Sequence, residues 1–196
     1  MQSGQSSRGR SLFLPATLFI LAYFLLFSYD SLNTYLTFDD GMNLIAMHHQ
    51  GEIALWKNII EVLKVFTTAN RPLGALFYRP MYNVFGFDPR AFRIAVYILL
   101  LINILLAHRF ARRVGATAGA AALSTLLFCY NSSLGDLFYN TGTIYDVLCF
   151  LLFFTGFLLY VRERQRGRLS VCTMIMVIIL LLLAFDAKEN ATMLVA

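Results

Sequence analysis

Asp39 and Asp40 stand side by side in the stretch FDDGMN, ten residues past Tyr29, where the first long apolar run of the chain ends. A carboxylate pair there lies at a membrane surface, where the headgroup of a lipid-linked substrate would arrive. Acids so close to a bilayer are costly to bury and point to function by default. One such carboxylate can take the proton of an attacking hydroxyl. The same pair would also cap a helix that follows it, because Asp near a helix start accepts backbone N–H groups and meets the positive end of the dipole. Both readings stay open, as does the question of which acid would be the base.

Further along, Arg71-Pro72 and Arg79-Pro80 recur eight residues apart in RPLGALFYRPMYNVFGFDPR. Proline keeps its predecessor out of helical geometry, so each Arg is expected at a kink or a helix start. Fixed there, it could clamp a phosphate through charge-assisted, bidentate hydrogen bonds; the alternative is an interfacial Arg meeting ordinary lipid phosphates. His48-His49 could join the acidic pair around a metal ion. Neighbouring helix residues do not share a face, however, and an exposed loop pair is the plainer reading. Cys129, Cys149 and Cys172 fall in apolar runs without metal-ligand spacing and read as small core hydrophobes.

The elements that must carry these residues are membrane helices. The chain is 59% hydrophobic and only 14% charged, where an average soluble chain has about 25% charged residues. Five stretches approach the length a bilayer core requires: Ser11 to Tyr29, Ala91 to Ala107, the run between Arg113 and Asp136, Thr143 to Val161, and Leu169 to Phe185. The first lacks a small-residue cleavage site and reads as a retained helix. Arg93, near the start of the second, is expected to snorkel to the interface. The Gly/Ala-rich opening of the third suits close helix packing, and the fourth carries one acid, Asp146. The expected fold is therefore all-α, a polytopic transmembrane bundle of about five spans behind a cytoplasmic tail, residues 1–10. The membrane domain then covers residues 11–196.

Charge orients this bundle. Arg8 and Arg10 precede the first span, Arg109, Arg112 and Arg113 follow the second, and Arg162, Arg164, Arg166 and Arg168 separate the last two. With alternating topology all of them share one side, which the positive-inside rule makes cytoplasmic. The basic excess is thus a topology signal and gives no case for nucleic acid binding. Asp39, Asp40, Asp136, Asp186 and Glu189 come out at the opposite face, as they would around a carboxylate-lined external cavity. Between the first two spans lies an external loop, residues 30–90. In it Ile53, Trp56, Ile60 and Leu63 share one helical face and Lys57, Glu61 and Lys64 the other. That pattern predicts an amphipathic helix, either in the membrane interface or packed on the protein.

Taken in order, these features resemble the amino-terminal part of GT-C-type integral-membrane glycosyltransferases. The branch includes the protein O-mannosyltransferases and their tetratricopeptide-repeat-bearing relatives. The resemblance runs from about Leu12 through the acidic pair, YRPM at 78–81, GFDPRAFRIAVYILLLINILL at 86–106, NSSLGDLFYNTGTIYD at 131–146 and AKENATML at 187–194. Asn131-Ser132 stands where the family has His-Pro, and Thr143-Ile144 where it has Gly-Arg, so the roles of that His and Arg do not carry over. The resemblance implies transfer of a sugar from a polyprenyl-phosphate donor to a protein or glycan acceptor on the external face, in the bacterial inner membrane. It implies Asp39 as base, with Asp40 able to exchange roles with it. Arg79 and Lys188 would meet the donor phosphate, and Asp136 and Glu189 would orient the acceptor or hold a divalent metal ion. Family enzymes have more helices than this chain has room for, so it is expected to be an amino-terminal portion with little activity alone. A proton-coupled transporter or a non-enzymatic membrane partner is the rival from another class, and it would place its acids near the bilayer midplane.

Overall fold

The structure, a computed structural model, describes residues 13–49, 57, 59–60, 72–167 and 169–188. Among them every regular element is helical. The long helices are α1 (Phe13–Ser28), α2 (Phe38–His49), α3 (Pro72–Phe85), α4 (Pro89–Arg113) and α5 (Ala118–Cys129). After them come a short α6 (Asp136–Tyr139), α7 (Ile144–Gln165) and α8 (Val171–Ala187). Among the described residues three stretches are long and apolar enough to cross a membrane: Leu14–Asn33, Pro89–Arg113 and Thr141–Gln165.

Local chemistry sets the ends of these helices. Gly86, at φ +59°, turns the chain out of α3. Asp88 then caps α4 by accepting the Arg90 N–H at 3.0 Å, with Pro89 in the first helical position, where a missing N–H costs nothing. Thr117 and Ser170 cap α5 and α8 in the same way. Each accepts a backbone N–H three residues on, which satisfies a donor the helix cannot.

The expected third and fifth spans differ, the third most. The third's helix α5 stops at Cys129, because the polar run Asn131-Ser132 intervenes and the chain goes on as short turns. Its 12 residues reach only about 18 Å at ~1.5 Å per residue, against a hydrocarbon core of about 30 Å. The fifth run forms α8, apolar up to Asp186 near its end but likewise shorter than a full span.

Packing centres on α4, which lies against α5 and α7, while α8 packs on α7 and α1 on α5. One side of α4 (Phe92, Val96, Leu100, Ile104) is buried; the other exposes Ile94, Ile98 and Ile102. Similar apolar exposure runs along α1 (Leu14, Leu18, Leu25, Leu26) and α8 (Ile175, Ile178, Ile179, Leu182). In water so much contiguous apolar surface would drive aggregation; here it is the face a bilayer covers.

Arg93 departs from expectation. It does not snorkel but is fully buried, on the same helical face as Val96 and Leu100. Its Nε donates to Ser31 O at 3.1 Å and its Nη1 to Thr141 Oγ1 at 3.2 Å, while Nη2 donates to Phe138 O. Three turns at one end of the bundle are thereby tied to one guanidinium, whose planar fork suits several acceptors at once. At the other end, Arg113 and Gln165 exchange two hydrogen bonds, so the basic ends of α4 and α7 lie together. The bundle has an acidic end and a basic end.

Candidate functional site

Helix α2 begins with the acidic pair, and its first turn separates the two. Thr37 is the residue before the helix and Asp40 its third residue. The Asp40 Oδ2 accepts the Thr37 N–H at 2.9 Å, half of a capping box. The Thr37 hydroxyl lies 2.9 Å from Asp40 Oδ2 and 3.0 Å from Asn140 Oδ1, sharing its hydrogen between them. On the other side, Tyr78 of α3 donates its hydroxyl to Asp40 Oδ1 at 3.0 Å. Asp40 is fully buried and Tyr78 nearly so. Burial first, and the Asp40 charge second, push the Tyr78 phenol far above its ordinary range, so it remains a donor. The Arg93 guanidinium lies within electrostatic reach of Asp40 as well. A buried carboxylate held by three donors is stable and unavailable to substrate.

Asp39 differs in every respect. One residue turns a helix by about 100°, enough to carry its side chain out to the exposed surface. The carboxylate takes no hydrogen bond from a described residue; only the Asp39 backbone carbonyl is engaged, by Asn43 Nδ2 at 2.9 Å. It rests against the turn 140–143, where a Cβ built on Gly142 would come within 2.9 Å of Asp39 Cβ. Glycine is what lets this turn approach α2 so closely.

The turn brings the next acid near. Asn140 Oδ1 accepts the Gly142 N–H at 2.8 Å, and its Nδ2 donates to Asp136 Oδ2 at 3.3 Å. Asp40, Thr37, Asn140 and Asp136 thus form one polar chain. Asn43, whose Nδ2 holds the Asp39 carbonyl, accepts the Tyr145 hydroxyl on its Oδ1 at 3.0 Å. Tyr145 can lie there because α3 has Gly74 beneath it; a Cβ on Gly74 would fall 2.0 Å from the Tyr145 ring.

The remaining candidates lie around this centre. Lys188, just past α8, pairs with Asp146 at 2.5 Å, both partly buried. Asp146 is in the first turn of α7, at the acidic end and not deep in a span. Asp186 Oδ2 accepts the Leu73 N–H at 3.1 Å, joining α8 to α3. Arg79 is not at a helix start, since Pro80 lies inside α3. Its side chain is buried at 1% exposure and does not face outward.

His48, in the last turn of α2, has its Nδ1 2.6 Å from the Tyr82 hydroxyl. Among the described residues no three His, Cys, Asp or Glu side chains gather as metal ligands. Glu189, Arg71, the tail and most of the amphipathic stretch 53–66 lie outside the described residues; Lys57, Ile59 and Ile60 within that stretch are helical and exposed.

Two features were missed by sequence reasoning. Arg93 falls on the buried stripe of α4, a periodicity that could have placed it inside. Asn140, the hub between Asp136 and Thr37, had no signal beyond its place in a Gly/Thr-rich turn. Comparison of the chain with protein-family models, curated proteins and solved structures yields no match.

Proposed function

We propose that this chain carries the acceptor-activating site of a GT-C-type membrane glycosyltransferase. The enzyme moves a sugar from a polyprenyl-phosphate-linked donor to a hydroxyl of a protein or glycan acceptor on the external face. The observation that carries this reading is the division of the acidic pair: Asp40 is consumed by structure, while Asp39 presents an exposed carboxylate at the end of the bundle opposite its basic loops.

Asp39 is the base in this reading. It accepts the acceptor proton as the hydroxyl oxygen bonds to the anomeric carbon and the bond from that carbon to the lipid-phosphate oxygen breaks. The departing phosphate is anionic and needs cationic stabilisation more than a proton. Lys188, partly exposed, would supply that charge, and the phosphate would compete with Asp146 for it. Asp136 orients the acceptor from across the turn that Asn140 builds. The positive-inside rule assigns the basic end to the cytoplasm and this end to the outside. A carrier would lean on an acid within a span. Asp146, the one acid expected there, lies in a helix-end ion pair, which favours the transferase.

The test is sugar transfer by the intact protein in membranes. Asp39→Asn is expected to abolish turnover while leaving polyprenyl-phosphate donor binding unchanged, since the amide keeps the side-chain size but cannot take the proton. Full transfer by Asp39→Asn would end the assignment.

A further inference from the structure

Helix α2 carries a feature that the transfer chemistry does not use. Phe38, Met42 and Ile45 are 82%, 57% and 52% exposed. At about 100° per residue they fall within an arc of about 60°. Asp40 and Leu44, both fully buried, lie on the opposite side of the helix. Asp39 and Asn43 occupy one flank. Such a helix has an inner face for the protein, an apolar outer face, and a polar edge between them.

We infer that the outer face of α2 is a membrane-interface anchor, seated in the bilayer with Phe38, Met42 and Ile45 toward the acyl chains. The occupant is lipid because the surface is continuous with surface already assigned to the bilayer. The span that begins at Leu14 ends at Asn33, and α2 begins five residues later at Phe38. The turn Tyr29–Asn33 is bound to the first turn of α4 through Arg93 and Ser31, so α2 starts at the level where two spans end.

Exposed aromatics mark the same level. Tyr29 is 63% exposed, Tyr35 is 85% exposed and Phe87, just before α4, is 51% exposed. Tyrosines at a span boundary sit at headgroup depth. An amphipathic helix in this setting buries its apolar face about 5–10 Å below the headgroup boundary. Asp39 would then stand at the seam between lipid and protein. The inference rests on the membrane reading alone and holds whether or not the chain transfers sugar. It also places an interfacial helix at 38–49, in addition to the stretch expected at 53–66.

The test uses the whole chain in lipid vesicles. The chain has one tryptophan, so Trp56→Phe with Met42→Trp leaves a single reporter on the stripe, and Ile45→Trp in the same background is a second one should the first fail to fold. Ile98→Trp, on the exposed side of α4, is the deep reference. The expected result is blue-shifted emission at 42 or 45, quenched more strongly by lipids brominated near the headgroup than by lipids brominated near the chain ends, with the order reversed at 98. Red emission quenched by acrylamide and untouched by brominated lipid would put the stripe in water and overturn the inference. Blue emission that no brominated lipid quenches would mean protein covers the stripe, and would overturn it equally.

Discussion

Asp39 and Asp40 share a side-chain type and differ by one position, yet their surroundings give them opposite consequences. The Thr37-to-Asp40 spacing is a helix-start signature that was legible in the sequence. What composition could not supply was Tyr78, whose hydroxyl reaches Asp40 from another helix, or the turn at Gly142 that leaves Asp39 open. Arg93 is the other residue whose role comes from tertiary contacts. Its three acceptors belong to three separate turns, and a lysine has one point of charge to offer them. Arg93→Lys is expected to cost about 2–4 kcal/mol of stability, read as a lowered Tm in detergent. An unchanged Tm would mean the turns hold without it.

Among the described residues, three of the five expected runs correspond to helices long enough to span, with ends shifted by a few residues, and the fifth run to the shorter α8. Examples are Ala91 to Ala107 inside Pro89–Arg113, and Thr143 to Val161 inside Thr141–Gln165. Apolar length was enough to find them. The third run failed because hydropathy counts residues, whereas α5 ends where Asn131, Ser132 and the turns after them bond otherwise. The packing of α3 on the start of α7 was invisible for a different reason: it depends on one missing side chain. Gly74→Ala would drive a methyl group into the Tyr145 ring and displace its hydroxyl from Asn43. A loss of about 1–3 kcal/mol is expected from such overpacking. If Gly74→Ala, tested by thermal unfolding in detergent, matches the parent, α3 does not pack on Tyr145 as described.

For the whole molecule, the separation of charge along the bundle is its organising feature, and it is legible in the order of the basic loops along the sequence. The pairing of Arg113 with Gln165 and of Lys188 with Asp146 gives that separation a physical form. Orientation in the membrane is then open to labelling. In a Cys172→Ser background, Tyr35→Cys is expected to react with an impermeant thiol reagent on intact cells, and Arg164→Cys only after permeabilisation. The opposite pattern would place the acidic end in the cytoplasm.

The measurement that bears most directly on the central claim, that the acidic pair is one free carboxylate and one structural one, compares the stability of Asp39→Asn with that of Asp40→Asn. Asp40→Asn removes the charged acceptor from three hydrogen bonds, that from Tyr78 buried and those from Thr37 partly so, and is expected to cost about 1.5–3 kcal/mol. Asp39→Asn alters an exposed group and is expected to stay within about 0.5 kcal/mol of the parent. If Asp39→Asn unfolds the protein, or if Asp40→Asn leaves its Tm unchanged, the two acids do not divide in this way.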